Sequence, residues 1–220
     1  MSVAAIIFDF DGVIIDTETP DFETWRDLFY EQGLDLTPDL WVQRVGATAN
    51  DMHFSPERYY EQLTGSALDE AALKQQRANY LARCQAQPVL PGVIELITFA
   101  LEHDIQLAIA SNSYSAWVER YAKAAGLRDY FECVRTLDDV SNGKPAPDVY
   151  LSAAACLGVP VERCIAIEDS PTGMKAALAA GIRVVAVLNA LTAPLMRPDE
   201  VSLTMNALSE MTPQALMDCF

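Results

Sequence analysis

Histidine is nearly absent from the 220 residues: only His53 and His103 occur. The five cysteines (Cys84, Cys133, Cys156, Cys164 and Cys219) are scattered, odd in number and include no Cys-x-x-Cys pair. These scarcities argue against a His/Cys zinc centre and lead us to expect reduced structural thiols in a cytoplasmic protein. No apolar run approaches the ~20 residues of a membrane span. The N-terminus shows no basic region or cleavage pattern of a secretion signal and goes straight into a strand. Basic residues are also short: 15 Lys and Arg stand against 31 Asp and Glu, a net charge of −16. That balance argues against nucleic acid and anionic membranes as partners. A small anion can still bind if its site carries its own positive charge. Internal repeats and low-complexity segments are missing too.

What the chain does have is a hydrophobic fraction of 51%, enough for a real core. The stretch from Ala4 to Phe8 reads as a strand buried on both faces, as in a parallel sheet. It ends in Asp9 and Asp11, one residue apart, followed by Gly12 for a sharp turn. A calcium loop counted from Asp9 would place Val13, Ile14 and Pro20 where an oxygen ligand, glycine and glutamate are needed, so that reading fails. Residues from about 20 to 86 lose strand character. Phe22, Trp25, Leu28 and Phe29 recur at helical spacing before Gly33, and further helices are predicted over Pro38 to Val45, Pro56 to Leu63 and Asp69 to Cys84. Most of their aromatics are expected to form a core. From residue 92 helices and strands alternate. Strands are expected at Ile105 to Ala110, Cys133 to Arg135, Cys164 to Ile167 and Val184 to Leu188, with a last edge strand at Ser202 to Thr204. The expected fold is α/β: a Rossmann-like doubly wound parallel sheet core, residues 1–16 and 88–220, with an inserted all-α cap over residues 17–87.

Three of the predicted strands end in polar groups: Asp9 and Asp11, Ser111 and Asn112, Glu168 and Asp169. If the strands are neighbours, these groups meet at one sheet edge, where open α/β sheets bind ligands. Lys144 lies in a loop between the last two. Taken singly each has a plain explanation: a polar strand end, a helix cap at Ser111 to Ser113, a solvated lysine, acidic residues favouring a helix N-terminus. Taken together they supply a nucleophile, a second carboxylate, a hydroxyl, a cation and ligands for a hard metal ion.

The order Asp9-Phe-Asp11-Gly-Val, Ala110-Ser111-Asn112, Gly143-Lys144-Pro-Ala-Pro-Asp and Ile167-Glu168-Asp169-Ser170-Pro-Thr-Gly173 resembles the four motifs of the haloacid dehalogenase superfamily. Within it the chain is similar to the β-phosphoglucomutase/phosphoglycolate phosphatase-like branch, whose helical cap follows the first motif. The resemblance implies a phosphoric monoester hydrolase. Asp9 would attack phosphorus and form an aspartyl-phosphate, and Asp11 would act as acid and base. Ser111, Asn112 and Lys144 would hold the phosphoryl group. Asp9, the Asp11 carbonyl, Glu168 (directly or through water) and Asp169 would hold Mg²⁺. Gly12 would bring backbone amides to the phosphate, and the Lys144-Pro145 bond is a candidate cis peptide. The substrate would be a small phosphorylated metabolite, a sugar phosphate or similar, handled by a monomer or weak homodimer. Hinges at residues 13–17 and 87–91 would let the cap close over it, with Thr17, Glu18, Asp21, Trp25 and the turn from Gly46 to Asn50 as candidates to choose the leaving group.

The runner-up is a phosphoglucomutase. Against it, Asp21 stands where those enzymes carry histidine, Ala49 lies near their arginine, and Gln76 or Arg77 lies near their cap lysine. A third reading is a catalytically silent binding protein on the same fold.

Overall fold

A computed structural model describes residues 2–44 and 54–220. Val45, Gly46, Ala49, Asn50 and His53 lie outside the described residues, and the helix expected over Pro38 to Val45 already ends at Trp41, with Val42 as its C-cap. The sheet contains β1 (Ala5–Phe8), β2 (Gln106–Ala110), β3 (Cys133–Arg135), β4 (Cys164–Glu168), β5 (Arg183–Val187) and β6 (Leu203–Met205). All pairings are parallel, in the order β3-β2-β1-β4-β5-β6. The expected α/β architecture is therefore the observed one, and β1 sits between the two other strands that end in polar groups.

Burial on both faces explains the unbroken apolar run of β1. Side chains alternate across a strand, so Ile6 and Phe8 enter one core layer and Ala5 and Ile7 the other. The first layer is closed by α5 (Val93–Glu102), α6 (Ser115–Ala124) and α9 (Pro213–Met217), the second by α7 (Asp148–Leu157) and α8 (Pro171–Ala179).

The inserted segment forms α1 (Glu18–Glu31), α2 (Pro38–Trp41), α3 (Pro56–Thr64) and α4 (Glu70–Ala86). Phe22, Trp25, Leu28, Phe29, Leu36, Trp41 and Phe54 pack into a separate apolar cluster. Burying a large side chain of this kind stabilises by ~2–3 kcal/mol, so the cluster holds these helices together without using the sheet. Tyr30 does not join it and is 81% exposed. Trp25 is spent on this packing. Leu191, just after β5, reaches into the same cluster, so the insertion also rests on the core. The two connections run side by side: the Leu90 amide donates to the Ile14 carbonyl at 2.9 Å, and Ile15 bridges Val89.

One expectation is overturned. Cys133 and Cys156 form a disulfide between β3 and α7, with Cα atoms 6.2 Å apart; Cys84, Cys164 and Cys219 are free. The two lie 23 residues apart, with no spacing signal in the sequence. They meet because α7 crosses back over the sheet beside β3. The expectation of a reducing, cytoplasmic location therefore no longer rests on the cysteines.

Candidate active site

Asp9, Ser111 and Asp169 follow directly from the ends of β1, β2 and β4, and Glu168 is the last residue of β4. Because these strands are adjacent, their ends converge. The Lys144 ammonium enters from the loop before α7 and donates to Asp9 Oδ1 at 2.8 Å and to Glu168 Oε1 at 2.6 Å. Asp9, Ser111, Lys144, Glu168 and Asp169 are all buried. Asn112 holds the lysine loop from outside: its Oδ1 accepts from the Lys144 amide at 2.7 Å, and its Nδ2 donates to the Lys144 carbonyl at 3.2 Å. The Lys144-Pro145 peptide is cis.

Glu168 is saturated. Its Oε1 also accepts from the Tyr150 hydroxyl at 2.7 Å, and its Oε2 accepts from the Asp169 amide, the Ser170 amide and the Ser170 hydroxyl at 3.1–3.3 Å. Gly173 is needed beside it, since a Cβ there would run into the Glu168 carboxylate. Gly12 does the same for Asp169 and also adopts φ +81°. Asn189 Nδ2 donates to Asp169 Oδ2 at 2.9 Å and fixes that carboxylate.

Three carboxylates and one ammonium give this buried cluster an excess of negative charge. Burial pushes the Asp9 carboxyl up to about 7; Lys144 opposes the rise, while Glu168 and Asp11 add to it. Burial, Asp9 and Glu168 drive Asp169 well above the ordinary range. Lys144 is itself penalised by burial, yet Asp9 and Glu168 hold it firmly cationic. Ligand oxygens of Asp9, Glu168 and Asp169 lie within 4.8 Å of one another. A hard cation fits this donor set, because it supplies the charge that the lysine alone cannot.

Asp11 faces a different shell. Its Oδ1 accepts from the Thr17 hydroxyl at 2.7 Å and the Trp117 indole at 2.8 Å; its Oδ2 accepts from the Ser113 hydroxyl at 2.6 Å, with Ser111 Oγ at 3.5 Å. Thr17 precedes α1 but leaves capping to Asp16, whose carboxylate accepts from the Thr19 amide. The Ser113 hydroxyl likewise turns to Asp11 instead of capping α6.

Beside Thr17, Glu18 is raised to about 8 by burial and by Asp21 and Asp11. Asp21 is also raised by burial, against the pull of Arg44 and Arg77, and it pairs with Arg44 at 3.4 Å. Arg44 thus sets a positive charge against Asp21 on this side of the site. Sequence reasoning missed Ser113, Trp117, Tyr150 and Asn189. Ser113 was visible only as a cap candidate, and the other three carried no signal beyond their place on or beside an element.

The model of the haloacid dehalogenase-like hydrolases matches residues 3–181. The Bacillus subtilis protein YhcW is 37% identical over 217 residues, covering 98% of this chain and 97% of its own. A Thermotoga maritima protein named phosphorylated carbohydrates phosphatase is 30% identical over 226 residues, covering 94% and 98%. Among solved structures, a haloacid dehalogenase family hydrolase from Deinococcus radiodurans, with bound phosphate and sodium, superposes with a TM-score of 0.78 at 24% identity, over 100% of this chain and 98% of that one; this likeness bears on the fold alone. The family match and these relatives agree with the four motifs and the strand order that gathers them: the chain belongs to the haloacid dehalogenase-like hydrolases and is an enzyme of the phosphatase type.

Proposed function

We propose that the protein is a Mg²⁺-dependent phosphomonoesterase acting on a small phosphorylated metabolite, of the sugar phosphate class, through an aspartyl-phosphate on Asp9. The observation that carries this reading is the Lys144 ammonium 2.8 Å from Asp9 Oδ1, in a buried cluster with Asp169 at neighbouring strand ends. The Thermotoga relative, named for phosphorylated carbohydrates, supports the substrate class.

Asp9 forms a bond from Oδ to phosphorus as the bond from phosphorus to the ester oxygen breaks, and Asp11 gives its proton to that departing oxygen. Asp11 then takes a proton from water as the water oxygen attacks phosphorus. Inorganic phosphate leaves and the Asp9 carboxylate is restored. Lys144 neutralises phosphoryl charge and keeps Asp9 aimed. Ser111 offers its hydroxyl to a phosphoryl oxygen. Asp9, the Asp11 carbonyl and Asp169 would hold Mg²⁺; the five donors on Glu168 favour contact with the ion through water. When bound, the ion supplies the charge that keeps Asp9 ionised and screens the phosphate from the carboxylates. Thr17, Glu18 and Asp21 face the leaving group, and the division into core (1–16, 88–220) and cap (17–87) makes these the substrate-choosing side.

Phosphate release from p-nitrophenyl phosphate and a sugar phosphate panel tests this reading. EDTA is expected to abolish it and Asp9→Asn to reduce it to background. Activity surviving either change refutes the mechanism. Conversion of β-glucose 1-phosphate to glucose 6-phosphate with little free phosphate would establish the mutase instead, and inertness across the panel a silent protein.

A further inference from the structure

Trp117 belongs to none of the four motifs, yet its indole N–H donates to Asp11 Oδ1 at 2.8 Å. Its ring stacks on Tyr80 of α4, with centroids 5.7 Å apart and planes inclined by 9°, and it meets Tyr121 of its own helix at 4.4 Å. The Arg77 guanidinium lies 5.1 Å from the Tyr80 ring centre and 5.9 Å from that of Trp117. One face of the indole therefore touches the inserted segment, while its N–H holds the carboxylate that sits two residues after Asp9. Thr17, the first residue of the inserted segment, holds the same oxygen.

We propose that Trp117, braced by Tyr80, is a positioning residue for Asp11, and that this stack links cap placement to proton transfer. The inference rests on the reading of Asp11 as acid and base. A carboxyl rotates readily about its last bond, and which oxygen it offers depends on the donors that pin the other. Thr17 and Trp117 pin Oδ1 from two directions, which leaves Oδ2, met among the described residues only by the rotatable hydroxyls of Ser113 and Ser111, as the oxygen that exchanges the proton. Phenylalanine at 117 keeps the stack and the apolar fill but removes one donor to a charged group. Asp11 gives its proton to the ester oxygen as that oxygen leaves phosphorus, so its placement matters in proportion to the basicity of the leaving group. A sugar alkoxide needs the proton; nitrophenolate departs without it.

The test compares kcat/KM on a sugar phosphate with kcat/KM on p-nitrophenyl phosphate for Trp117→Phe, Trp117→His, Tyr80→Leu and Asp11→Asn. Trp117→Phe is expected to lose roughly tenfold on the sugar phosphate, the worth of one hydrogen bond to a charged group, and several-fold less on the aryl ester. Trp117→His, which restores a ring N–H, recovers part of that loss. Tyr80→Leu shows the same selectivity more weakly, and Asp11→Asn shows it more strongly. Equal losses on both substrates in Trp117→Phe, with Asp11→Asn still selective, overturn the positioning role and leave the Asp11 reading standing. An unselective Asp11→Asn overturns both. Should Trp117→Phe fold poorly, Trp117→His and Tyr80→Leu carry the comparison, and a uniform loss in both overturns the proposal.

Discussion

A carboxylate placed in a buried site either finds a cation or holds on to its proton. Glu18 illustrates the second case. Burial, Asp21, Asp11 and Asp16 raise its carboxyl to about 8, with Arg44 opposing. The unfolded chain releases that proton near 4.5, so Glu18 favours the folded state in acid. Its contribution is lost as the pH rises from there through about 8. Glu18→Gln removes the dependence. Urea unfolding is expected to find the variant more stable than the parent at pH 9, by roughly 1–2 kcal/mol since part of the side chain still meets water. The gap should close by pH 5; parallel stability curves across that range would refute the assignment. Little of this environment was legible in the sequence. Glu18 and Asp21 were picked out for lying near a hinge, but the pairing of Asp21 with Arg44 depends on how α1 and the segment after α2 come together.

Among the elements, β-strand ends were the easiest to place, because a short apolar run stops sharply at Asp9, Ser111 or Glu168. β3 carries the boundaries expected of it, Cys133 to Arg135. The Cys133–Cys156 link was out of reach: it joins an edge strand to a helix that packs on it, and only the packing brings the two sulfurs together. Closing a loop of this length limits the unfolded chain and contributes ~3 kcal/mol. Protein unfolded in urea without reductant is expected to show three thiols of the five to Ellman's reagent. Five reactive thiols would mean the bridge does not form.

Across the molecule, a net charge of −16 surrounds a site that must accept an anion. The site answers with Lys144 and with a carboxylate cluster suited to a cation. On the proposed reading Mg²⁺ offsets the like charges that face one another there, and it is expected to stabilise the fold by mass action. At a hundred times its Kd the gain is about 2.7 kcal/mol, or ~5–10 °C in Tm for a chain of this size. Asp169→Asn relieves part of the repulsion and removes a ligand. It is expected to melt higher than the parent in EDTA and to respond little to Mg²⁺. A variant that still gained the full shift would show that the ion binds elsewhere.

The order of motifs along the chain determined the family, the alternation of helices and strands the α/β class, and the candidates Asp9, Ser111, Lys144 and Asp169 are each announced by their own few residues. The supports of those side chains were decided only in three dimensions. Trp117 reaches Asp11, Tyr150 reaches Glu168 and Asn189 reaches Asp169 across gaps of 106, 18 and 20 residues. Chemistry that depends on one residue type at one turn leaves a local mark. A hydrogen bond between distant elements leaves none until the sheet sets their spacing.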